Sequence, residues 1–236
     1  MKRSLTTVTA AAAIVLAACA KDSNANPAVS GTPTATSSAT PITAVPVGAI
    51  RFTVAPTGNA ARYRVREQLM GHDLPNDAVG ETQQITGAIT IDSAGRVIAD
   101  QSRFVVGVAG LKSDKDRRDG YIRGRVLETD QYPSVELVPT ALRALPAGFS
   151  ATRAADMTAP ITFEMLANLT VHGVTRPTTW RVSARQVGGR VTGSASSRFT
   201  FEEFNLTQPR VPVVLSVADT IALEYDFTLA RESPQH

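Results

Sequence analysis

The stretch Ile221-Ala222-Leu223-Glu224-Tyr225-Asp226-Phe227-Thr228-Leu229 constrains this chain more than any other feature, because every odd position in it is large and apolar. A helix would spread those side chains around its axis. A strand sends alternate side chains to opposite faces, so one face is buried while the other meets water. The same period-two pattern recurs upstream. Ile85, Gly87, Ile89 and Ile91 alternate and end in the turn Asp92-Ser93-Ala94-Gly95. Phe104, Val106 and Val108 form another face, and Trp180, Val182 and Ala184 a further one, with Gly188-Gly189 as a hairpin turn into Val191. Ala61–Gln68, Ser134–Pro139 and Ile161–Leu166 also read as strands.

About eight strands close together in sequence predict an all-β antiparallel meander. A sheet of that size avoids exposed edges by closing into a barrel, whose interior either fills with side chains or holds one small ligand. A sandwich satisfies the same alternation. One segment breaks the pattern. Ser113-Asp114-Lys115-Asp116 has a helix start, with Ser113 as N-cap and acids in the first turn, and Ile122 and Val126 then lie one turn apart. A short helical insertion over 113–127 is therefore expected, weakened by Gly120 and Gly124.

The N-terminus carries an address. Lys2 and Arg3 precede a short apolar run from Thr7 to Leu16, the form of a secretory signal peptide and too short to cross a bilayer. Leu16-Ala17-Ala18-Cys19 then resembles the lipobox of bacterial lipoproteins, in which the cysteine thiol carries a diacylglyceryl group. Residues 1–18 are thus expected to be a leader, and Cys19 the lipidated start of the mature, membrane-anchored protein. Residue 20 is Ala, so no inner-membrane retention aspartate follows the cysteine, which points to an outer-membrane or cell-surface anchor. The rest of 19–48 is rich in Ser, Thr, Ala and Pro, without an aromatic residue, and reads as a flexible tether. The domain is expected over 49–231, and 232–236 is a tail.

Several function classes drop out. The formal charge is +3, of which Lys2 and Arg3 belong to the leader, and no dense basic stripe is present, so no nucleic-acid partner is expected. A single cysteine permits neither an internal disulfide nor a cysteine-based zinc site. His72, His172 and His236 have no metal-ligand spacing, and no G-x-S-x-G, H-E-x-x-H or phosphate loop occurs. No catalytic residue, metal or cofactor is assigned.

Four segments in order carry a resemblance. Arg118-Asp119-Gly120-Tyr121-Ile122 follows Leu111-Lys112-Ser113-Asp114 and leads to Leu127-Glu128-Thr129 and Tyr132-Pro133. Leu169-Thr170-Val171-His172-Gly173-Val174-Thr175-Arg176-Pro177, Phe201-Glu202-Glu203-Phe204-Asn205-Leu206 and the strand after Asp219 complete the set. This order resembles the YceI-like family, although Tyr121 stands where that family commonly has histidine. The resemblance implies an extended, lipocalin-like β-barrel and a long isoprenoid amphiphile, such as a polyprenyl or quinone tail, held in an apolar tunnel.

On that reading Phe104, Val106, Val135 and Phe163 are candidates to line the tunnel, together with Trp180, Leu223 and Phe227. Tunnel and solid core use the same residue types, so a filled barrel serving as a structural or partner-binding module is the alternative. Arg118 and His172 are candidates for a rim that meets a polar headgroup; their bland readings are a helix-end ion pair with Asp119 and a bond to loop backbone. A hydrolase built around His172 ranks third.

Overall fold

The computed structural model describes residues 45–146 and 157–232. The leader 1–18, Cys19, nearly all of the tether and His236 lie outside the described residues. Among the described residues ten strands appear: β1 (Ile50–Val54), β2 (Ala60–Leu69), β3 (Asn76–Thr82), β4 (Ile85–Ile91), β5 (Arg103–Gly107), β6 (Ser134–Arg143), β7 (Met157–Val171), β8 (Val174–Val187), β9 (Arg190–Thr200) and β10 (Val214–Arg231). All pair antiparallel, in the order β1-β4-β5-β6-β7-β8-β9-β10-β2-β3, and β1 also pairs with β10. That last pairing closes an eight-strand barrel, as the alternation predicts, and excludes the open sandwich.

Ten segments make eight staves because two staves are broken. β1 and β2 run in the same direction beside β10, separated by residues 55–59; β3 and β4 are separated only by Gln83 and Gln84. Asn59 bridges the first break. Its Nδ2 donates to the Ala55 carbonyl at 2.8 Å, while its Oδ1 accepts from the Thr228 N–H at 3.0 Å and the Tyr225 hydroxyl at 3.1 Å. β1 and β3 carry weak sequence signals for a physical reason. β1 is short, and the inward positions of β3 are Ala78, Gly80 and Thr82. A Cβ on Gly80 would lie 2.3 Å from Cε1 of Tyr63, its cross-strand partner, so the tyrosine ring fills the space an apolar side chain would occupy.

The crossover from β5 to β6 carries the helical insertion. Helix α1 (Asp116–Tyr121) runs into one wider π turn, Ile122–Val126. The expected cap is corrected here: the N-cap position is Lys115, which makes no side-chain capping bond. The Ser113 hydroxyl is committed elsewhere. It donates to Asp119 Oδ1 at 2.6 Å, as its backbone N–H does at 2.8 Å. Asp119 is buried, and a buried carboxylate needs such donors. Ile122, Val126 and Leu127 turn inward and make the segment a lid over one end of the barrel. The predicted turns hold. Gly188 and Gly189 join β8 to β9 with φ of +57° and +73°, and Asp92 Oδ1 caps the turn after β4 through the N–H groups of Ala94 and Arg96.

Candidate functional site

The inward rows of the barrel are apolar but do not meet at its axis. Two adjoining cavities remain, of about 110 Å³ and about 140 Å³. The first lies toward the β8–β9 hairpin, and its wall includes Met157, Ile161, Phe163, Val182, Gln186 and Val191. The second lies under the lid, walled by Tyr63, Ile122, Val126, Leu169, Trp180 and Phe201 among others. Phe104, Leu137 and Tyr225 line both and form a waist between them. The rings of Phe104 and Tyr225 meet edge to face, 6.3 Å between centres. Tyr225 is held there by its bond to Asn59, so the break in the first stave positions the waist.

Register explains why the space is left open. Phe163, Val182, Ala195, Tyr225 and Ala61 are successive cross-strand partners over β7, β8, β9, β10 and β2. Alanine at the middle of that row leaves room opposite the rings. Close approach elsewhere keeps the wall continuous: a Cβ on Gly193 would lie 2.0 Å from the Ser183 carbonyl oxygen.

All seven sequence candidates for lining reach a cavity. Val106, Val135, Trp180 and Leu223 face the lid cavity, Phe163 and Phe227 the hairpin-end cavity, and Phe104 both. Tyr225 and Leu137 belong with them and lay in strands whose alternation already turned them inward. The apolar pattern does not reveal the polar members of the lining, Gln186 and Thr82 in inward rows and Arg62, Arg185 and Glu224 at the borders.

Arg118 and His172 lie at the lid end, and neither lines a cavity. The Arg118 guanidinium donates to Glu67 Oε1 at 2.6 Å and also to Asp114. Arg118 and Asp119, adjacent in sequence, do not pair with each other. Burial works against the Arg118 charge, but the Glu67 and Asp114 carboxylates outweigh it and hold its pKa above the usual arginine value. His172 sits in the β7–β8 turn with φ of +50°, its Nε2 2.8 Å from Glu128 Oε2 and its ring 4.5 Å from that of Tyr132. It thereby ties the end of the lid to the barrel wall. Beside this network, burial pushes the Tyr63 hydroxyl up to about 12, with Arg118 opposing and nearby acids adding to the shift. Burial likewise raises the Tyr225 pKa.

Among the described residues no group of three His, Cys, Asp or Glu is placed to hold a metal ion, and no helix is long and apolar enough to cross a membrane. The two cavities offer shape and apolar surface.

The family model for the YceI-like domain matches residues 52–229. The chain belongs to the YceI-like family. The YceI-like match begins in β1 and ends in β10, so it spans the whole closed barrel. No curated protein matches the chain in sequence. Solved structures share the fold, two among them as follows. A polyisoprenoid-binding domain from Saccharophagus degradans, implicated in plant cell wall breakdown, has 15% identity and a TM-score of 0.58, covering 78% of this chain and 98% of that one. BcnA of Burkholderia cenocepacia has 16% identity and a TM-score of 0.53, covering 73% and 96% respectively. At that identity the likeness concerns the YceI-like barrel itself.

Proposed function

We propose that this protein binds a long apolar lipid, an isoprenoid or quinone-like chain, non-covalently inside its barrel. The observation that carries the reading is the pair of adjoining cavities walled almost wholly by apolar side chains along the barrel axis. A hydrocarbon tail is unfavourable in water by roughly 0.8 kcal/mol per methylene, so a dry cavity of this form holds one without a covalent step. The family and the polyisoprenoid-binding neighbour point the same way. The filled-barrel alternative lacks support, since side chains packed to native density would leave no such space. A hydrolase lacks it too: the His172 ring is taken up by Glu128 and Tyr132, with no nucleophile among its contacts.

The deciding experiment is native mass spectrometry of the purified Cys19→Ser chain, followed by lipid extraction. A co-purifying isoprenoid, or stoichiometric uptake of an added one, is the expected result. A protein that stays empty with every isoprenoid offered overturns the reading.

The proposal extends to location. The leader and Cys19 support an exported lipoprotein that carries lipid at the cell envelope, anchored in the outer membrane or at the cell surface. Cys19→Ser is expected to move the protein from the membrane to the soluble fraction and to abolish labelling with radioactive palmitate. A wild-type chain that takes up no palmitate counts against the anchor.

A further inference from the structure

We infer that the outer face of β8 and β9 is a docking surface for a lipid bilayer that bears anionic headgroups. The inference goes beyond the lipid-binding reading and does not depend on what fills the barrel.

Side chains on these two strands alternate. Trp180, Val182, Ala184 and Gln186 turn inward on β8, and Val191, Ala195 and Phe199 on β9. The outward positions from Thr179 to Arg198 therefore carry Arg181, Arg185, Arg190 and Arg198. The others are Ser or Thr, apart from Val187 beside the hairpin, and none is acidic. Register sets the arginines in pairs. Arg181 faces Ser196, which puts Arg198 on the diagonal, and Arg185 faces Thr192, which puts Arg190 on the diagonal. Diagonal neighbours on one face lie roughly 7–8 Å apart, near enough for like charges to repel. All four are exposed, and none has an acidic partner among the described residues; Arg185 Nε donates to Thr192 Oγ1 at 3.2 Å, within the same face. At the border, Glu164 of β7 is the cross-strand partner of Arg181 and makes no ion pair with it. On the β10 side, Glu224 and Asp226 face Ser196 and Ser194 but are taken up by Arg64 and Arg62.

The wall formed by β2, β3 and β10 shows the opposite arrangement. Its outward arginines are all paired: Arg62 with Glu81 and Asp226, Arg64 with Asp77 and Glu224, and Arg66 with Asp77. The same side-chain type is neutralised on one wall and keeps its full charge on the other. A group of like charges repels itself, and an anionic surface relieves that repulsion. A bilayer fits this face better than a chain-like polyanion because of where the polypeptide enters. Residues 45–50 join the barrel at its hairpin end, where Phe52 pairs with Arg231 and the Arg231 N–H donates to the Gly189 carbonyl at 2.9 Å. Val45, Val47 and Val187 are exposed at that end, apolar groups suited to the headgroup boundary of a membrane. Cys19, the anchor proposed above, is joined to Val45 by a segment that reaches at most about 90 Å when extended. That exceeds the roughly 60 Å rise of β10, so an anchored barrel can lay this wall on the same membrane.

The test measures co-sedimentation of the purified Cys19→Ser chain with vesicles of phosphatidylcholine, alone or mixed with phosphatidylglycerol. Each basic side chain near an anionic bilayer strengthens attachment by about five-fold. Replacing Arg181, Arg190 and Arg198 together by Gln is therefore expected to weaken binding to the mixed vesicles by roughly a hundred-fold and to leave binding to phosphatidylcholine unchanged. Added salt is expected to weaken the parent chain on the mixed vesicles. Replacing Arg64, Arg66 and Arg103 together by Gln removes the same charge from ion-paired positions on other walls, and is expected to leave binding within about three-fold of the parent. All these chains share the leader and the tether, so differences between them report the walls. In a second measurement an environment-sensitive dye is placed on Ser194→Cys, the single cysteine of that chain, or on Arg103→Cys. The dye at 194 is expected to respond to the mixed vesicles and the dye at 103 to stay silent. The inference is overturned if both triple variants lose binding equally or neither loses it, or if the two dyes respond alike. A parent chain that binds duplex DNA more tightly than the mixed vesicles at the same salt also overturns it. Isoprenoid uptake is read separately, so failure of the docking face leaves the lipid-binding reading standing.

Discussion

Glu67 and Arg118 illustrate how much a single pair contributes when water is kept away. Their side chains are 8% and 15% exposed, and Asn76 adds a further bond to Glu67 Oε1 at 3.2 Å. Arg118 keeps Asp114 if Glu67 is lost, but removing Arg118 strands Glu67 as a buried carboxylate, so Arg118→Ala is expected to destabilise the fold by about 3 kcal/mol, read as a shift in the urea midpoint. The exposed Arg96–Asp92 pair is a control, where Arg96→Ala is expected to cost less than about 1 kcal/mol. The two tyrosines give a pH signature. Tyr63 ordinarily titrates near 10 and in the fold is pushed up to about 12, and Tyr225 is shifted in the same direction. Both bind their protons more tightly folded than unfolded, so their contribution is level below pH 10 and is lost as pH rises through about 12. Tyr63→Phe combined with Tyr225→Phe is expected to flatten that alkaline loss in a thermal-melt series; an unchanged slope would contradict the assignment. None of this was legible in sequence, because Arg118 and Glu67 lie 51 residues apart and meet only across the lid.

At the level of elements, the broken first stave matters more than its length indicates. Asn59 spans the break with four side-chain hydrogen bonds, to the Ala55 and Thr57 carbonyls, the Tyr225 hydroxyl and the Thr228 N–H, and fixes the Tyr225 ring at the waist. Asn59→Ala is expected to cost about 2 kcal/mol and to loosen the waist, seen as faster amide exchange at Thr228. In the β4 stave, Gly87 has φ of +131°, and a Cβ there would meet the Arg103 carbonyl oxygen at 2.1 Å. Gly87→Ala is therefore expected to disrupt β4–β5 pairing, giving little soluble protein. Strands β7, β8 and β10 were plain in the alternation because their inward rows carry large apolar residues, whereas β9, with Gly193, Ala195 and Ser197 inward, showed only its start at Val191. β3 was not plain, because Tyr63 supplies the bulk that Gly80 lacks. The lid showed its apolar face in Ile122 and Val126, but Ser113 was misassigned as its cap, since the burial of Asp119 appears only once the chain is folded.

The molecule as a whole is a closed wall around a divided space, and that space can be tested by filling it. Ala195 lies between Val182 and Tyr225 across the wall and borders the hairpin-end cavity. Ala195→Phe is expected to keep the β-sheet circular dichroism spectrum while abolishing uptake of long isoprenoids in native mass spectra; wild-type uptake by this variant would show that the ligand does not occupy the barrel. The sequence by itself determined the strand periodicity, the antiparallel all-β class, the inward rows and the family, because these depend on local alternation and on motifs in order; the choice of closed barrel over sandwich came from the pairing of β1 with β10 at opposite ends of the chain. Tertiary structure alone decided that the interior stays open, that it divides at Phe104, Leu137 and Tyr225, and that Arg118 and His172 are spent on holding the lid. Those outcomes depend on which residues stand opposite one another after closure. A row that reads simply as apolar becomes core or cavity according to the sizes of its cross-strand neighbours, and a charge becomes free or committed according to what the far end of the chain places beside it.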